Sequence, residues 1–182
     1  GDIMKQVDDN DDFLEYILYI KSNSTTVDYY GSGYHYEEVS TWSDFLFDEI
    51  TDSSKTLAAY IPDNSIVLEQ VKLLENYKFD KKWIHGDFGT HNFIKVNGKF
   101  AGVIDPMPVI GDSLYDTLFA IVSNASVVKN ISLNKIYSLL SEPHQKIKAM
   151  LIIVLYCRMA RCLKYHKQDI NIYMDFWNSL TL

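Results

Sequence analysis

The sequence predicts an α+β fold that is mainly helical, with a single β-hairpin at about 93–104. Apolar residues recur at helical spacing through most of the chain, and only 93–104 places two short apolar runs on either side of an Asn-Gly pair, the strongest short-range hairpin signal. With 182 residues, 47% hydrophobic and 14% aromatic, the chain can bury a sizeable core and fits one domain, 1–182.

The elements follow in order. Behind the acidic turn Asp8 to Asp12, which suits a helix amino terminus, Phe13, Leu14, Ile17 and Leu18 mark a first helix. Residues 22–40 read as a loop. In it Tyr29, Tyr30, Tyr34 and Tyr36, around Gly31 and Gly33, form either an aromatic wall for a sugar or a loop packed on its own rings. Trp42, Phe45, Leu46 and Ile50 mark a second helix, capped by Thr41 or Ser43. A third carries Ile66, Val67, Val71, Leu74 and Tyr77; it opens at Asp63-Asn64-Ser65 and delivers the chain to His85-Gly86-Asp87. Asp112 to Ser123 fits a helix started by Gly-Asp-Ser. A long helix from about Pro143 to Tyr165 is apolar around much of its circumference and should be central. No repeat, low-complexity stretch or linker interrupts the pattern.

Charge and cysteines narrow the function. A net charge of −7 argues against nucleic acid, whose phosphates demand clustered Lys and Arg. It suits a cationic small molecule, and solubility alone would also explain it. Cys157 and Cys162 match neither a redox nor a zinc pattern and read as reduced core thiols of a cytoplasmic protein. The longest apolar run, Ala149 to Cys157, is far too short to span a bilayer, so no membrane partner is expected.

The chemistry concentrates between His85 and Asp105. A type I′ turn at Asn97-Gly98 sets Val96 opposite Lys99 and, by regular pairing, Asn92 opposite Val103. Asp105 then lies diagonal to Asn92 on one face. Two oxygen donors converge in that register, about the number of side chains Mg²⁺ takes before waters and phosphates complete its shell. Asp87 precedes Asn92 on the loop and can face a substrate hydroxyl as base or orienting group. The order Asp, four residues, Asn, hairpin, Asp is that of a kinase catalytic loop and its metal-binding aspartate.

The run His85-Gly86-Asp87-Phe88-Gly89-Thr90-His91-Asn92, followed by Val103-Ile104-Asp105 and Gly111-Asp112-Ser113-Leu114-Tyr115-Asp116, resembles the aminoglycoside phosphotransferase and choline kinase superfamily. Within it the motif is most similar to the hygromycin-B kinase branch, and Ser40-Thr41-Trp42-Ser43-Asp44-Phe45 fits the same branch. The likeness is strong over 83–118 and weaker, but in order, from about 29 to 180. It implies the carboxy-terminal lobe of a protein-kinase-like fold, with Asp87 as the catalytic aspartate and Asn92 and Asp105 as Mg²⁺ ligands. Asp112 and Asp116 would brace the loop or border the acceptor site. The implied cofactors are Mg²⁺ and ATP or another nucleoside triphosphate, the implied partner is a small-molecule hydroxyl acceptor, and the implied setting is antibiotic resistance.

Departures bound that resemblance. Pro106-Met107-Pro108 follows Asp105 where a Phe-Gly or Trp continuation is usual, so the acceptor cannot be copied across. Gly89 stands where protein kinases carry a phosphate-contacting lysine. No glycine-rich phosphate loop and no strand with the nucleotide lysine precedes His85. A nucleotide lobe would take on the order of 100 residues, and the residues before His85 read instead as helices and loops. The chain is therefore expected to be a fragment, with the amino-terminal lobe missing or supplied by the rest of the full-length protein, and inactive alone.

Duller roles compete. His85 reads as a hydrogen-bonding brace, and His91 as either a phosphate neighbour or an exposed loop histidine. Asp112 reads as a helix cap, and Arg158 and Arg161 as solvated or salt-bridged rather than phosphate-binding. Two other functions stay open. A catalytically silent binding domain would need no phosphate clamp. A metal-dependent hydrolase using His85, Asp87, His91 and Asp105 would leave Asn92 without a purpose. The phosphotransferase reading predicts that the chain alone binds Mg·ATP with a Kd in the millimolar range or weaker, about −4 kcal/mol. Titration calorimetry returning micromolar affinity would reveal a phosphate site outside these motifs.

Overall fold

The computed structural model describes residues 2–3, 30–32, 38–39, 41–97 and 99–181. In chain order these form β1 (Asp2–Ile3), β2 (Tyr30–Ser32), β3 (Glu38–Val39), α1 (Trp42–Leu57), α2 (Ser65–Leu74), β4 (Lys82–Ile84), a 3₁₀ turn (Thr90–Asn92), β5 (Phe93–Val96), β6 (Lys99–Val103), β7 (Val109–Gly111), α3 (Ser113–Val122), α4 (Ala125–Asn130), α5 (Leu133–Leu139), α6 (His144–Tyr165), a 3₁₀ turn (Lys167–Asp169) and α7 (Ile170–Thr181). The expected helix at Phe13 to Leu18 lies outside the described residues, as do Tyr29, Tyr34 and Tyr36. The fold is mainly helical with antiparallel strands, as the periodicity predicts. The chain divides into two compact units, one of residues 1–40 and 79–123, the other of 41–78 and 124–182.

The first unit holds every strand among the described residues, and α3. β5 and β6 form the expected hairpin, and β1 adds to β5 with Ile3 opposite Ile94. A second sheet runs β3-β2-β7-β4, all antiparallel. This corrects the expectation of one hairpin and of a loop across 22–40. Strands of two or three residues are too short to show a period of two, and their partner β7 is distant in sequence. Every residue of α3 from Leu114 to Val122 is buried.

The second unit is helical. Its centre is α6, buried from Ala149 through Cys157 without a break, so no face of it is left to solvent there. Helices with one apolar stripe surround it: α1 through Trp42, Leu46, Ile50 and Leu57, α2 through Val67, Val71 and Leu74, and α7 through Ile170, Tyr173, Trp177 and Leu180. Thr41 caps α1 in a reciprocal box with Asp44. Asp63 opens α2 by accepting from Ser65 N–H at 2.9 Å. Cys157 and Cys162 are buried and free, and burial pushes the Cys157 thiol up to about 12. Arg161 lies 3.4 Å from Glu49, and the Arg158 guanidinium sits over the Tyr173 ring at 5.4 Å, so both serve packing and pairing within this unit.

The buried centre of α6 sets a stability test. Leu151→Ala should cost about 2–5 kcal/mol in urea unfolding, whereas the exposed Lys129→Ala on α4 should stay within about 0.5 kcal/mol.

Candidate functional site

The loop carrying Asp87 is fastened at its start by one carboxylate. Asp116, only 1% exposed, accepts hydrogen bonds from the His85 N–H at 2.5 Å and from the Gly86 N–H at 3.0 Å. Burial raises its pKa to about 7; the two N–H donors pull it down, and the nearby Asp87 charge pushes it up further. Gly86 adopts a φ of +77°, and a Cβ there would lie 2.0 Å from the Met107 carbonyl oxygen. Only glycine fits on both counts. Met107 N–H donates to the His85 carbonyl at 2.9 Å, which ties the start of the loop to the segment after Asp105.

The other end of the loop is fastened to the end of the same helix. Thr90 N–H donates to Ser123 Oγ at 3.1 Å, and Ser123 Oγ donates to the Ala120 carbonyl at 2.8 Å. Between the two anchors Phe88 turns inward and packs edge-on against His85 and Phe93, with centroids at 5.4 and 4.8 Å. Burying Phe88 sends its neighbour Asp87 outward. The Asp87 side chain keeps 23% of its surface exposed.

His85 is a buried brace. Its Nε2 lies 3.0 Å from the Ile104 carbonyl, which only accepts, so the proton sits on Nε2. Burial lowers the imidazole pKa against the smaller pull of that carbonyl, so the ring is neutral at pH 7. Asn92 is also buried. Its Nδ2 donates to the Asp87 carbonyl at 2.9 Å and reaches Asp87 Oδ2 at 3.4 Å. Both partners can only accept, so the amide nitrogen faces Asp87 and Oδ1 points the other way, available as an oxygen donor. His91, with 60% of its side chain exposed, places Nε2 at 3.5 Å from Asp87 Oδ2.

The hairpin register departs from regular pairing. Val96 does face Lys99, and Asn97 has the positive φ of 53° that its turn requires. A bulge then intervenes: Lys95 pairs with Phe100 but Ile94 with Gly102, which leaves Ala101 as the extra residue and puts Phe93, not Asn92, opposite Val103. Asn92 instead accepts from Ile104 N–H at 2.9 Å. The strand-parity route that set Asn92 and Asp105 on one face therefore fails. Asp105, the next residue, leaves the ladder with φ 53°, an uncommon conformation ahead of a proline. Asp112 caps α3, with Oδ1 accepting from Leu114 N–H at 2.9 Å.

The structure thus brings Asp87, His91 and Asn92 into hydrogen-bonding range. The peptide of Ile104 links both His85 and Asn92 to the residue before Asp105. Among the described residues no three His, Cys, Asp or Glu side chains gather as a metal-binding group. The amide oxygen of Asn92 and the carboxylate of Asp105 are each hard oxygen donors of the kind Mg²⁺ takes. Ser123 gave no sequence signal, because a serine ending an apolar helix is ordinary. Asp116 had one: a charged residue inside a helix otherwise built of core residues.

No family model and no curated protein matches the sequence. Solved structures do match. An apo thermostable mutant of aminoglycoside phosphotransferase APH(4)-Ia aligns at 18% identity and a TM-score of 0.50, and a variant of it in ternary complex with ADP and hygromycin B at 16% and 0.53, each covering 78% of this chain and 52% of the other. A protein described as a fructosamine-3-kinase of Thermobifida fusca YX-ER1 aligns at 16% identity and 0.58, over 96% of this chain and 68% of its own. The chain spans about half the length of the APH(4)-Ia structures. What is shared at these identities is a fold, one used by kinases. Among the described residues no helix is long and apolar enough to cross a membrane.

Two outcomes test the anchoring. Gly86→Ala should destabilise the protein by about 3 kcal/mol or more, since the φ and the carbonyl contact both oppose a Cβ, as read by a lower urea midpoint. Asp116 has a folded pKa above its unfolded value of 3.8, so the neutral acid is the better-tolerated buried form. Its contribution to stability is full below about pH 4 and is lost as pH rises through about 7. Urea midpoints across that range should fall more steeply for the parent than for Asp116→Asn.

Proposed function

We propose that this chain carries the catalytic and metal-holding part of an ATP-dependent phosphotransferase acting on a hydroxyl of a small polar or cationic molecule, aminoglycoside-like. The observation that carries the reading is the Asp87 carboxylate, outward-facing on a loop anchored at both ends and flanked by an amide whose oxygen is turned away from it. Asp87 orients the acceptor hydroxyl and takes its proton. Asn92 and Asp105 would hold Mg²⁺, which supplies charge neutralisation at the transferring phosphoryl group. His85 and Asp116 position the loop, and Asp112 caps α3. Because Asp87 is already fixed by the Asn92 amide, little reorganisation is needed when the acceptor arrives.

The kinase fold of the structural neighbours supports this reading, as do the strained backbone at Asp105 and the loop order Asp87, Asn92, Asp105. ATP, or another nucleoside triphosphate, would be clamped by an amino-terminal lobe in the full-length protein, 1–182 being the carboxy-terminal lobe. The buried, free cysteines fit a cytoplasmic setting. A second reading, a catalytically silent binding domain, draws on the lack of a glycine-rich phosphate loop in this sequence.

One experiment decides between them. In the full-length protein, ATP consumption is measured against a panel of aminoglycosides, aminocyclitols and amino alcohols. Asp87→Asn should leave folding and Mg·ATP affinity nearly intact while lowering turnover roughly 10²-fold or more. Asp105→Asn should instead weaken Mg·ATP binding directly. A parent that phosphorylates nothing, or an Asp87→Asn variant with parental turnover, replaces the kinase with the binding domain.

A further inference from the structure

We propose that His91 is a second substrate-facing group of this site, donating its Nε2–H to an oxygen of the transferring phosphoryl group. The inference rests on the phosphotransferase reading and assigns a residue that the loop motif itself leaves undefined.

The first observation concerns Gly89. Its φ of −82° and ψ of 151° are ordinary extended values open to any residue, so the backbone does not require glycine. Space does. A Cβ at position 89 would lie 2.3 Å from His91 Cε1 and 2.5 Å from Nδ1. The imidazole therefore occupies the place where a side chain at 89 would begin.

The second observation is the pairing of His91 Nε2 with Asp87 Oδ2 at 3.5 Å. A carboxylate only accepts, so it favours hydrogen on the nitrogen that faces it. An exposed side chain ordinarily samples several rotamers. Here the space left by Gly89 admits the ring, with Cε1 and Nδ1 nearest position 89 and Nε2 at 3.5 Å from Asp87 Oδ2.

Charge explains why such a donor is needed. From Trp83 to Ile94 the chain contains no lysine or arginine. A phosphoryl group approaching Asp87 would bring anionic oxygens toward a carboxylate, with no fixed cation from this loop to offset them. His85 is buried and its Nε2 is committed to Ile104. His91, its ring exposed, lies beside Asp87 and precedes Asn92 in the chain, so it is placed to meet a group held at these residues. On binding, the Nε2–H now near Asp87 Oδ2 would turn to the phosphoryl oxygen.

The test uses the full-length protein with Mg²⁺ and inorganic tripolyphosphate at one fixed pH. It follows the imidazole ¹H–¹⁵N signals and the Kd, and the His91 signal is the one lost in His91→Gln. The expected results are a movement of that Nε2 signal on titration and a roughly tenfold weaker Kd for His91→Ala, the scale of a hydrogen bond to a charged group. His91→Gln, whose amide can present an N–H close to the Nε2 position, should recover most of the loss. Gly89→Ala keeps the imidazole but removes its seat, so it should weaken binding as His91→Ala does, and the double variant should be no worse than either alone. A signal that stays still up to the highest tripolyphosphate concentration, or parental affinity in His91→Ala, overturns the proposal. These readouts require no turnover. A protein that binds tripolyphosphate through His91 yet phosphorylates no acceptor would refute the phosphotransferase reading alone.

Discussion

The carboxylate of Asp116, shut away from water inside α3, holds the backbone on which the whole site is built. Burial disfavours a charge there, and the His85 and Gly86 N–H groups offset part of that cost. The dependence runs both ways. Those two N–H groups belong to residues bent by a positive φ at Gly86, and without the carboxylate they would be buried donors lacking an acceptor. Asp87 follows immediately, so its position depends on a bond made two residues earlier. The far end of α3 repeats the arrangement through Ser123 and Thr90, and one rigid helix thereby fixes the loop at two points.

From that anchor the rest of the site is assembled by backbone rather than by side chains. The Ile104 peptide accepts from His85 and donates to Asn92, and Met107 donates back to His85. Asp105 lies inside this short backbone lattice, in a conformation that a β-ladder would not impose. Under the proposed function, a carboxylate on so constrained a backbone would lose little freedom on taking a cation. Asn92 is set by similar logic: two acceptors claim its amide nitrogen, and the remaining oxygen is the one a hard cation prefers.

The sequence made some of this legible and concealed the rest for physical reasons. The helical elements it marked strongly, Trp42 to Ile50, Ile66 to Leu74, Asp112 to Ser123 and Pro143 to Tyr165, rest on stripes or runs of buried residues that leave a periodic trace. The hairpin was readable because Asn97-Gly98 demands one turn geometry. Its register near Asn92 was not, because a bulge at Ala101 depends on twist and on neighbouring strands. β2, β3, β4 and β7 escaped notice as segments of two or three residues. α7 had a clear stripe, Ile170, Tyr173, Trp177 and Leu180, and an Asp169 ahead of it, yet went unmarked. Spacing singles out Asp87, Asn92 and Asp105, but the regular pairing behind the last two does not hold. That Asp116 and Gly86 share one anchor, or that Gly89 makes room for His91, is a three-dimensional relation that linear spacing does not carry.

The most direct measurement of the account is a crystal structure of the full-length protein with Mg²⁺ and a non-hydrolysable ATP analogue. The account predicts a cation about 2.0–2.1 Å from Asn92 Oδ1 and from an Asp105 carboxylate oxygen, with the terminal phosphate between that cation and the Asp87 carboxylate. A cation and triphosphate bound elsewhere, with Asn92 and Asp105 left to solvent, would contradict it.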